Sequence, residues 1–363
     1  MRVSAILVIN DQPSSTTGAV HEPAPQEQDR REPSRGSITC ADILGQSVLD
    51  RTIARLRTAG VQTISVIGGR NLSSLPSKQD LEITVVANSF ARWPAAQRTM
   101  SEQGRQGIET VLMIGLGAYM ELDVAQAVKF HRAKGTPLTQ LEDIQGPLDF
   151  WVVDSKWFNT AATGCSLPFR YGEFPGLPVP CLMSGYVNRL AEARDLRRLV
   201  LDAFLSRCEI KPRGREVRPG IWVDEGARVH KLTRLVAPVY LGRSTKVGPS
   251  AVVTRFSNLE RHCEVGAGTV VDSTSVLPHT VLGSGLDVSH AVVDGNNFLD
   301  VNRNVALLID DPKLIRDTAP RNWRTPAYRE HEPSNGAKEA FEFEYSQYLS
   351  RAAGRLSEVL FKG

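Results

Sequence analysis

Ile221 to Thr280 reads in sixes as IWVDEG ARVHKL TRLVAP VYLGRS TKVGPS AVVTRF SNLERH CEVGAG TVVDST SVLPHT. The third place is always Val or Leu: Val223, Val229, Leu235, Leu241, Val247, Val253, Leu259, Val265, Val271 and Leu277. Neither a helix, with its period of 3.6, nor an isolated strand, with its period of two, calls for a branched aliphatic at every sixth residue. Two places earlier the side chain is usually small (Ala227, Thr233, Thr245, Ala251, Ser257, Cys263, Thr269, Ser275), as a coil turning a corner around a narrow core requires. The period predicts a parallel β-helix of hexapeptide repeats over about residues 219–300. Cys263, in the small inward slot, is then a core residue. Near VLGSGLDVSH the register slips by one, with Leu282 and Val288 continuing it, and the solenoid is expected to wind out.

Upstream, residues 1–210 alternate strand and helix signals, the pattern of an α/β domain with a mostly parallel sheet. Val3 to Ile9 is a candidate central strand. In GQSVLDRTIARLRTAGVQTISVIGG, Ser47 precedes Asp50 by three residues as a helix N-cap does. Leu49, Ile53 and Leu56 then line one face, and Gly60 supplies the stop. Val61 to Gly69, LEITVVANS, the run Val111 to Asp123 (VLMIGLGAYMELD) and LDFWVVDSKWF each read as strands. Asp123 caps a helix that Gly135 closes, and EARDLRRLVLDAFLSRC is a helix with Leu196, Leu199, Val200, Ala203 and Phe204 on one side. Residues 11–37 are polar and rich in proline and serine, and are expected to be a disordered loop. Residues 159–185, rich in Pro and Gly, carry no clear period. The extension 301–363 ends in an amphipathic helix, AKEAFEFEYSQYLSRAAGRLSEVLF, suited to capping the solenoid or joining subunits.

A length of 363 residues favours two domains, and a formal net charge of +3, with no basic block, argues against nucleic acid or an anionic membrane as partner. Five scattered cysteines without a CxxC pair argue against a zinc site or a disulfide framework, so reduced thiols in a cytoplasm are expected. MRVSAILVIN lacks a signal-peptide cleavage pattern and no stretch is long enough to span a bilayer.

An α/β domain carrying ILGQSVLDRTIARLRTAGVQTISVIGG after its first strand, followed by hexapeptide repeats, resembles the sugar-nucleotide pyrophosphorylases. It resembles especially their mannose-1-phosphate guanylyltransferase-like branch. ELDVAQAVKFHRAKG, GPLDFWVVDSKWF and SGYVNRLAEARDLRRL are similar to further family segments. The resemblance implies a Rossmann-like nucleotidyltransferase domain, a left-handed β-helix, and Mg²⁺-dependent joining of a nucleoside triphosphate to a sugar 1-phosphate. Such chemistry needs crowded phosphate oxygens neutralised by a glycine-rich loop, by Arg and Lys, and by a metal on carboxylates.

This chain departs from that pattern. Where the family has GxGTRLxPLT and a Lys-Pro, it has INDQPSSTTGAVHEPAPQEQDRREPSRGS, and no lysine precedes Lys78. The first metal carboxylate of the family falls on Gly117 and the second, by alignment to GYVNRLAEARD, on Arg189. An arginine cannot ligate Mg²⁺, which takes oxygen ligands. Residues 136–148 are also shorter than the sugar-binding insertions that the resemblance implies. Arg30, Arg31 and Arg35 offer guanidinium groups to a phosphate, or are solvated charges in a polar loop. Glu121 and Asp123 are substitute metal oxygens, although Asp123 is also explained as a helix cap.

His230, His262 and His279 lie on the hexapeptide coils, where an acyltransferase would carry a general base, and are otherwise surface residues. Asp154 reads as a strand-end turn residue, and Phe150, Trp151, Trp157 and Phe158 as packing rather than a base-stacking platform. The expected role is a catalytically degenerate nucleotidyltransferase-like subunit, regulatory or scaffolding, in sugar-nucleotide or surface-polysaccharide synthesis. The alternatives are an active mannose-1-phosphate guanylyltransferase-type enzyme and a hexapeptide-repeat acyltransferase. No cofactor is expected, and Mg²⁺ only for the active enzyme. The expected partners are further subunits, alike or different, held through the β-helix and the C-terminal helix, with a nucleotide or NDP-sugar as candidate ligand.

Overall fold

The structure is a computed structural model that describes residues 2–9, 40, 42–69, 81–86, 91–163 and 177–318, the side chains of 160–163 excepted. The polar segment 11–37, with Arg30, Arg31 and Arg35, and the amphipathic segment 337–361 lie outside the described residues. All described residues belong to one compact unit within residues 1–324.

The first part runs β1 (Val3–Ile9), β2 (Asp42–Ile43), β3 (Gln46–Ser47), α1 (Val48–Thr58), β4 (Thr63–Gly68), β5 (Leu81–Val85), α2 (Arg92–Arg105), β6 (Thr110–Leu116) and β7 (Tyr119–Leu122). It continues through α3 (Val124–Lys134), β8 (Leu138–Asp143), β9 (Gly146–Asp154), α4 (Ser155–Thr163), β10 (Val179–Leu182), β11 (Gly185–Asn188) and α5 (Ala193–Phe204). Seven strands form a mixed sheet in the order β10-β8-β9-β6-β1-β4-β5, with β1 parallel to both neighbours and β9 antiparallel to β6 and β8. Strand alternation divides the core into two layers. Ala5, Leu7 and Ile9 of β1 share a cluster with Leu49 and Leu56 of α1, Ala127 of α3 and Leu199 of α5. Ile6 and Val8 pack in another with Trp93, Ala96 and Met100 of α2 and Phe158 of α4. Sequence patterning is realised at the caps: the Ser47 side chain accepts the Asp50 N–H at 3.0 Å, Asp123 accepts that of Gln126 at 3.0 Å, and Gly135 closes α3 at φ +60°.

Two local expectations are corrected, and one helix is added to them. The run Val111 to Asp123 is not one strand: β6 ends at Leu116, and β7 pairs with β11 in a separate two-stranded sheet. LDFWVVDSKWF is not a strand throughout: β9 stops at Asp154, whose Oδ1 accepts the N–H groups of Lys156 at 2.8 Å and Trp157 at 2.9 Å and so starts α4. The aromatic residues consequently part company, with Phe150 in one layer and Trp151 and Phe158 in the other. Helix α2 was not legible, because its sequence is polar and contains Pro94. That proline falls in the first turn, where its missing N–H costs no intrahelical bond.

From Ile221 the chain winds as a β-helix with three faces. Ile221–Val223, Val239–Leu241, Ser257–Leu259, Ser275–Val276 and Ala291–Asp294 stack as the first face. Arg228–Val229, Lys246–Val247, Glu264–Val265 and Thr280–Leu282 form the second, and Arg234–Val236, Val252–Thr254, Val270–Asp272 and Asp287–Ser289 the third. Trp222 pairs with Tyr240 and Tyr240 with Asn258, eighteen residues apart, which is three sixes per coil. The slip comes earlier than the sequence suggests: Leu259 pairs with Val276, so Val276, not Leu277, fills the tenth core position. Thr274 replaces Ser275 in the small slot. Its hydroxyl donates to the Val288 carbonyl at 3.1 Å, as Thr245 does to Glu260 at 2.9 Å. Leu277 instead packs with the α/β core, and Cys263 is fully buried as expected.

The first face of the solenoid is the seat of the α/β domain. Tyr240, Asn258, Ser275 and Val292 point outward from it, yet each is buried. Arg197 of α5 reaches them, donating to Ser275 Oγ at 2.7 Å, the Phe256 carbonyl at 2.9 Å and Asn258 Oδ1 at 3.3 Å. Its burial pushes the guanidinium down to about 10. Beside it the turn between β2 and β3 docks on Glu260, which is fully buried. The carboxylate accepts the Leu44 N–H at 2.7 Å, the Gly45 N–H at 3.0 Å and the Asn258 amide at 2.8 Å, while Arg261 pairs with Asp42 at 2.6 Å.

Gly45 sits at φ +88°, and a Cβ there would lie 2.3 Å from Tyr240 Oη and 2.8 Å from Arg213 Cβ. Gly45→Ala is therefore expected to cost at least about 2 kcal/mol in denaturant unfolding, from strain and overpacking together. Desolvation outweighs the three donors and raises the Glu260 pKa from 4.5 to about 7. A carboxyl raised in the folded state contributes stability fully present below the unfolded value and lost as pH rises through about 7. Unfolding measured at pH 5 and pH 8 should show wild type losing about 2 kcal/mol relative to Glu260→Gln across that interval. Parallel pH profiles for the two would contradict it.

Candidate functional site

In an open α/β sheet, ligands bind outside the carboxyl ends of the strands where the connections diverge. Here β1 is followed in space by β4 on one side and β6 on the other, so the crevice lies beyond Ile9, Gly68 and Leu116. Gly69 and Arg92 stand at its β4 side. Arg92 is buried at the start of α2, and a Cβ on Gly69 would lie 3.8 Å from its Nη2. Desolvation lowers its pKa. This guanidinium at a strand end was not singled out in the sequence, because α2 itself was not.

On the β6 side, the chain turns at Gly117 into β7, which pairs antiparallel with β11. The last pair is Tyr119 with Asn188, after which Arg189 leaves the ladder. Gly117 and Arg189 are the two positions on which the resemblance puts metal carboxylates. Neither carries one. Arg189 is turned onto the β8–β9 turn, donating to Asp143 Oδ1 at 2.6 Å, the Pro147 carbonyl at 3.0 Å, the Gly146 carbonyl at 3.2 Å and Gln145 Oε1 at 3.4 Å. Asp143 is the one carboxylate among these contacts, and it is neutralised by that pair.

The substitute carboxylates sit elsewhere in the local network. Glu121 accepts the Tyr119 hydroxyl and the Glu209 N–H, both at 2.6 Å, and Asp123 is the α3 cap. Among the described residues no group of three or more His, Cys, Asp or Glu is arranged to hold a metal ion. A glycine, a paired arginine and committed carboxylates do not fit Mg²⁺, which needs several oxygens at close octahedral distance.

On the solenoid, His262 and His279 stack with ring centroids 4.9 Å apart at 24°, at the corner after the first face. Burial, then Arg261 and Arg243, lower the pKa of His262. His230 lies at a different corner, where its ring accepts the Leu232 N–H at 3.2 Å. A groove of about 380 Å³ on the second face is lined by Arg228, His230, Lys246, Pro249, Glu264 and Val281.

Neither a protein-family model nor a curated protein sequence matches the chain. Among solved structures it is similar to a Bacillus anthracis protein described as a glucose-1-phosphate thymidylyltransferase, in complex with sucrose. That likeness has a TM-score of 0.40 and 13% identity, over 54% of this chain and 93% of that one. At that level it says nothing of substrate or activity. No helix among the described residues is long and apolar enough to cross a membrane.

Arg189 and Asp143 are both largely shielded, at 16% and 10% side-chain exposure, so removing one partner strands the other. Arg189→Ala is expected to lower stability by about 2 kcal/mol and to speed amide exchange at residues 143–147. Unchanged exchange in that turn would show that the arginine does not hold it.

Proposed function

We propose that this chain is a catalytically degenerate, nucleotidyltransferase-like protein. On this reading it serves as a regulatory or scaffolding subunit in sugar-nucleotide or surface-polysaccharide synthesis. The observation that supports the degenerate half is the placement of Arg189, which donates to Asp143 and to three further acceptors of the β8–β9 turn. A nucleotidyl transfer in the crevice would set a triphosphate against a sugar phosphate, and the fixed charges must offset that repulsion. A neutral backbone position and an arginine already satisfied by Asp143 and three further acceptors cannot seat a divalent cation. The pathway half rests on the sequence resemblance to the sugar-nucleotide pyrophosphorylases and on the solenoid as a surface for other chains.

Arg92 is buried at the β4 side of the crevice, and a guanidinium there suits a phosphate or carboxylate geometrically. Calorimetric titration with nucleoside triphosphates and NDP-sugars, with and without Mg²⁺, tests the reading together with an assay for pyrophosphate release. Binding that is indifferent to Mg²⁺, or no binding, with no pyrophosphate formed from a nucleoside triphosphate and a sugar 1-phosphate, is the expected result. Magnesium-dependent pyrophosphate release above the protein-free rate would overturn it. Coenzyme A in the same titration separates the acyltransferase alternative, for which His230, His262 or His279 would act as the base.

A further inference from the structure

The two ends of the solenoid are finished differently. At the C-terminal end, Ile315–Asp317 pairs antiparallel with Thr280–Leu282 and closes the second face, while Asn297–Asp300 and Val305–Leu308 extend the first. The last aliphatics are covered: Leu282 is 0% and Val288 3% exposed. At the N-terminal end, Arg215–Arg218 pairs with Ile221–Val223 and closes the first face only. Among the described residues, Arg228–Val229 and Arg234–Val236 have a strand neighbour on one side alone.

The backbone on the open side points outward. Arg228 and His230 give their N–H groups to Thr245 and Val247 of the next coil, at 2.8 and 3.0 Å, so the N–H of Val229 between them faces away from it. Arg234 gives its own to Ala251 at 2.9 Å, which turns Leu235 outward in the same way. The core is also incomplete at this point. In the inward column of the second face, Val247 and Val265 are 4% and 3% exposed, but Val229 is 38%, and Leu232 in the adjoining turn is 62%. Terminal repeats of a solenoid normally carry a cap with a polar outer side, and an uncovered strand edge is a template for another strand. Around this edge the exposed charges are Arg228, Lys231 and Arg234, joined by His230. Glu225, the exposed acid of the coil, faces Arg243 at 3.8 Å.

We infer that the N-terminal edge of the solenoid is a docking surface for an extended segment of a partner protein, with apolar and acidic side chains in alternation. Laid along Arg228–Val229, bent at the corner and continued along Arg234–Val236, such a segment pairs with both faces and receives the outward N–H groups. It lays its apolar side chains over Val229 and Leu235 and turns its carboxylates to Arg228 and Arg234. Charge selects the partner: a second copy of the same edge would bring like charges together, whereas an acidic strand neutralises them. The surface belongs to the solenoid and does not depend on what the α/β domain binds.

The test uses the full-length protein with a labelled octapeptide of alternating valine and glutamate, and its valine–lysine counterpart as control. Hydrogen exchange should find the Val229 and Leu235 amides fast in the free protein compared with Val247 and Val253. Only the acidic peptide should slow them. In fluorescence anisotropy, Arg228→Glu with Arg234→Glu should weaken binding by about tenfold or more while leaving the unfolding transition in place, since both residues are exposed. The same reversal at Lys313 and Arg316, at the other end, should leave it unchanged. Equal binding of both peptides, protection of Val229 and Leu235 without any peptide, or protection that rises with protein concentration would overturn the inference. The last outcome would assign the edge to a second copy.

Discussion

A carboxylate with no access to water sits where the α/β domain meets the solenoid, and the relative placement of everything else follows from how it is satisfied. Glu260 cannot be solvated, so its oxygens must be met by donors, and three arrive: the N–H groups of Leu44 and Gly45 and the amide of Asn258. Two of those donors belong to a turn that leads directly into α1, whose first residues cover β1. A buried group that imposes such specific partners is costly if misaligned and therefore selects one docking geometry. Arg197 repeats the logic on the same face, with Ser275, Asn258 and the Phe256 carbonyl as its acceptors.

That docking uses the whole first face of the solenoid. Tyr240, Leu277 and Val292 join the same hydrophobic cluster as α1 and α5, so the solenoid is a structural wall of the α/β domain as much as a repeat in its own right. Further chains are left the second and third faces and the ends. At the crevice, by contrast, the charged side chains are taken up by local structure. Arg189 shows the difference most plainly, since its four acceptors make it part of the β8–β9 turn.

Much of the fold was legible because the signals were periodic or local. All but the last of the hexad aliphatics fall on the core column, since each coil needs the same branched side chain at the same place. The caps at Ser47, Asp123 and Gly135 were readable because capping depends on residues within one turn. Where sequence patterning misled, the determinant was tertiary. A one-residue shortening of one coil puts Val276 in the core and frees Leu277 for the other domain, and either choice satisfies a local pattern. Helix α2 is held by Trp93, Ala96 and Met100 against the sheet rather than by an apolar stripe that stands out in sequence. Of the candidate site, Gly117 and Arg189 were found by alignment alone. Arg92 was missed there, and Glu260 and Arg197 at the docking face, since nothing in the sequence marks one charged residue among many as buried.

The proposal turns on whether protein oxygens at this crevice reach a divalent cation; among the described residues no group of three or more His, Cys, Asp or Glu is arranged to hold one. Electron paramagnetic resonance of Mn²⁺, in place of Mg²⁺, tests this directly in the presence of a nucleoside triphosphate and the protein in excess. The expected spectrum is that of the manganese–nucleotide complex free in solution, or of that complex slowed in its tumbling with its water ligands retained. Loss of coordinated water in favour of protein carboxylate oxygens, abolished by substitution of Glu121, Asp123 or Asp143, would contradict it.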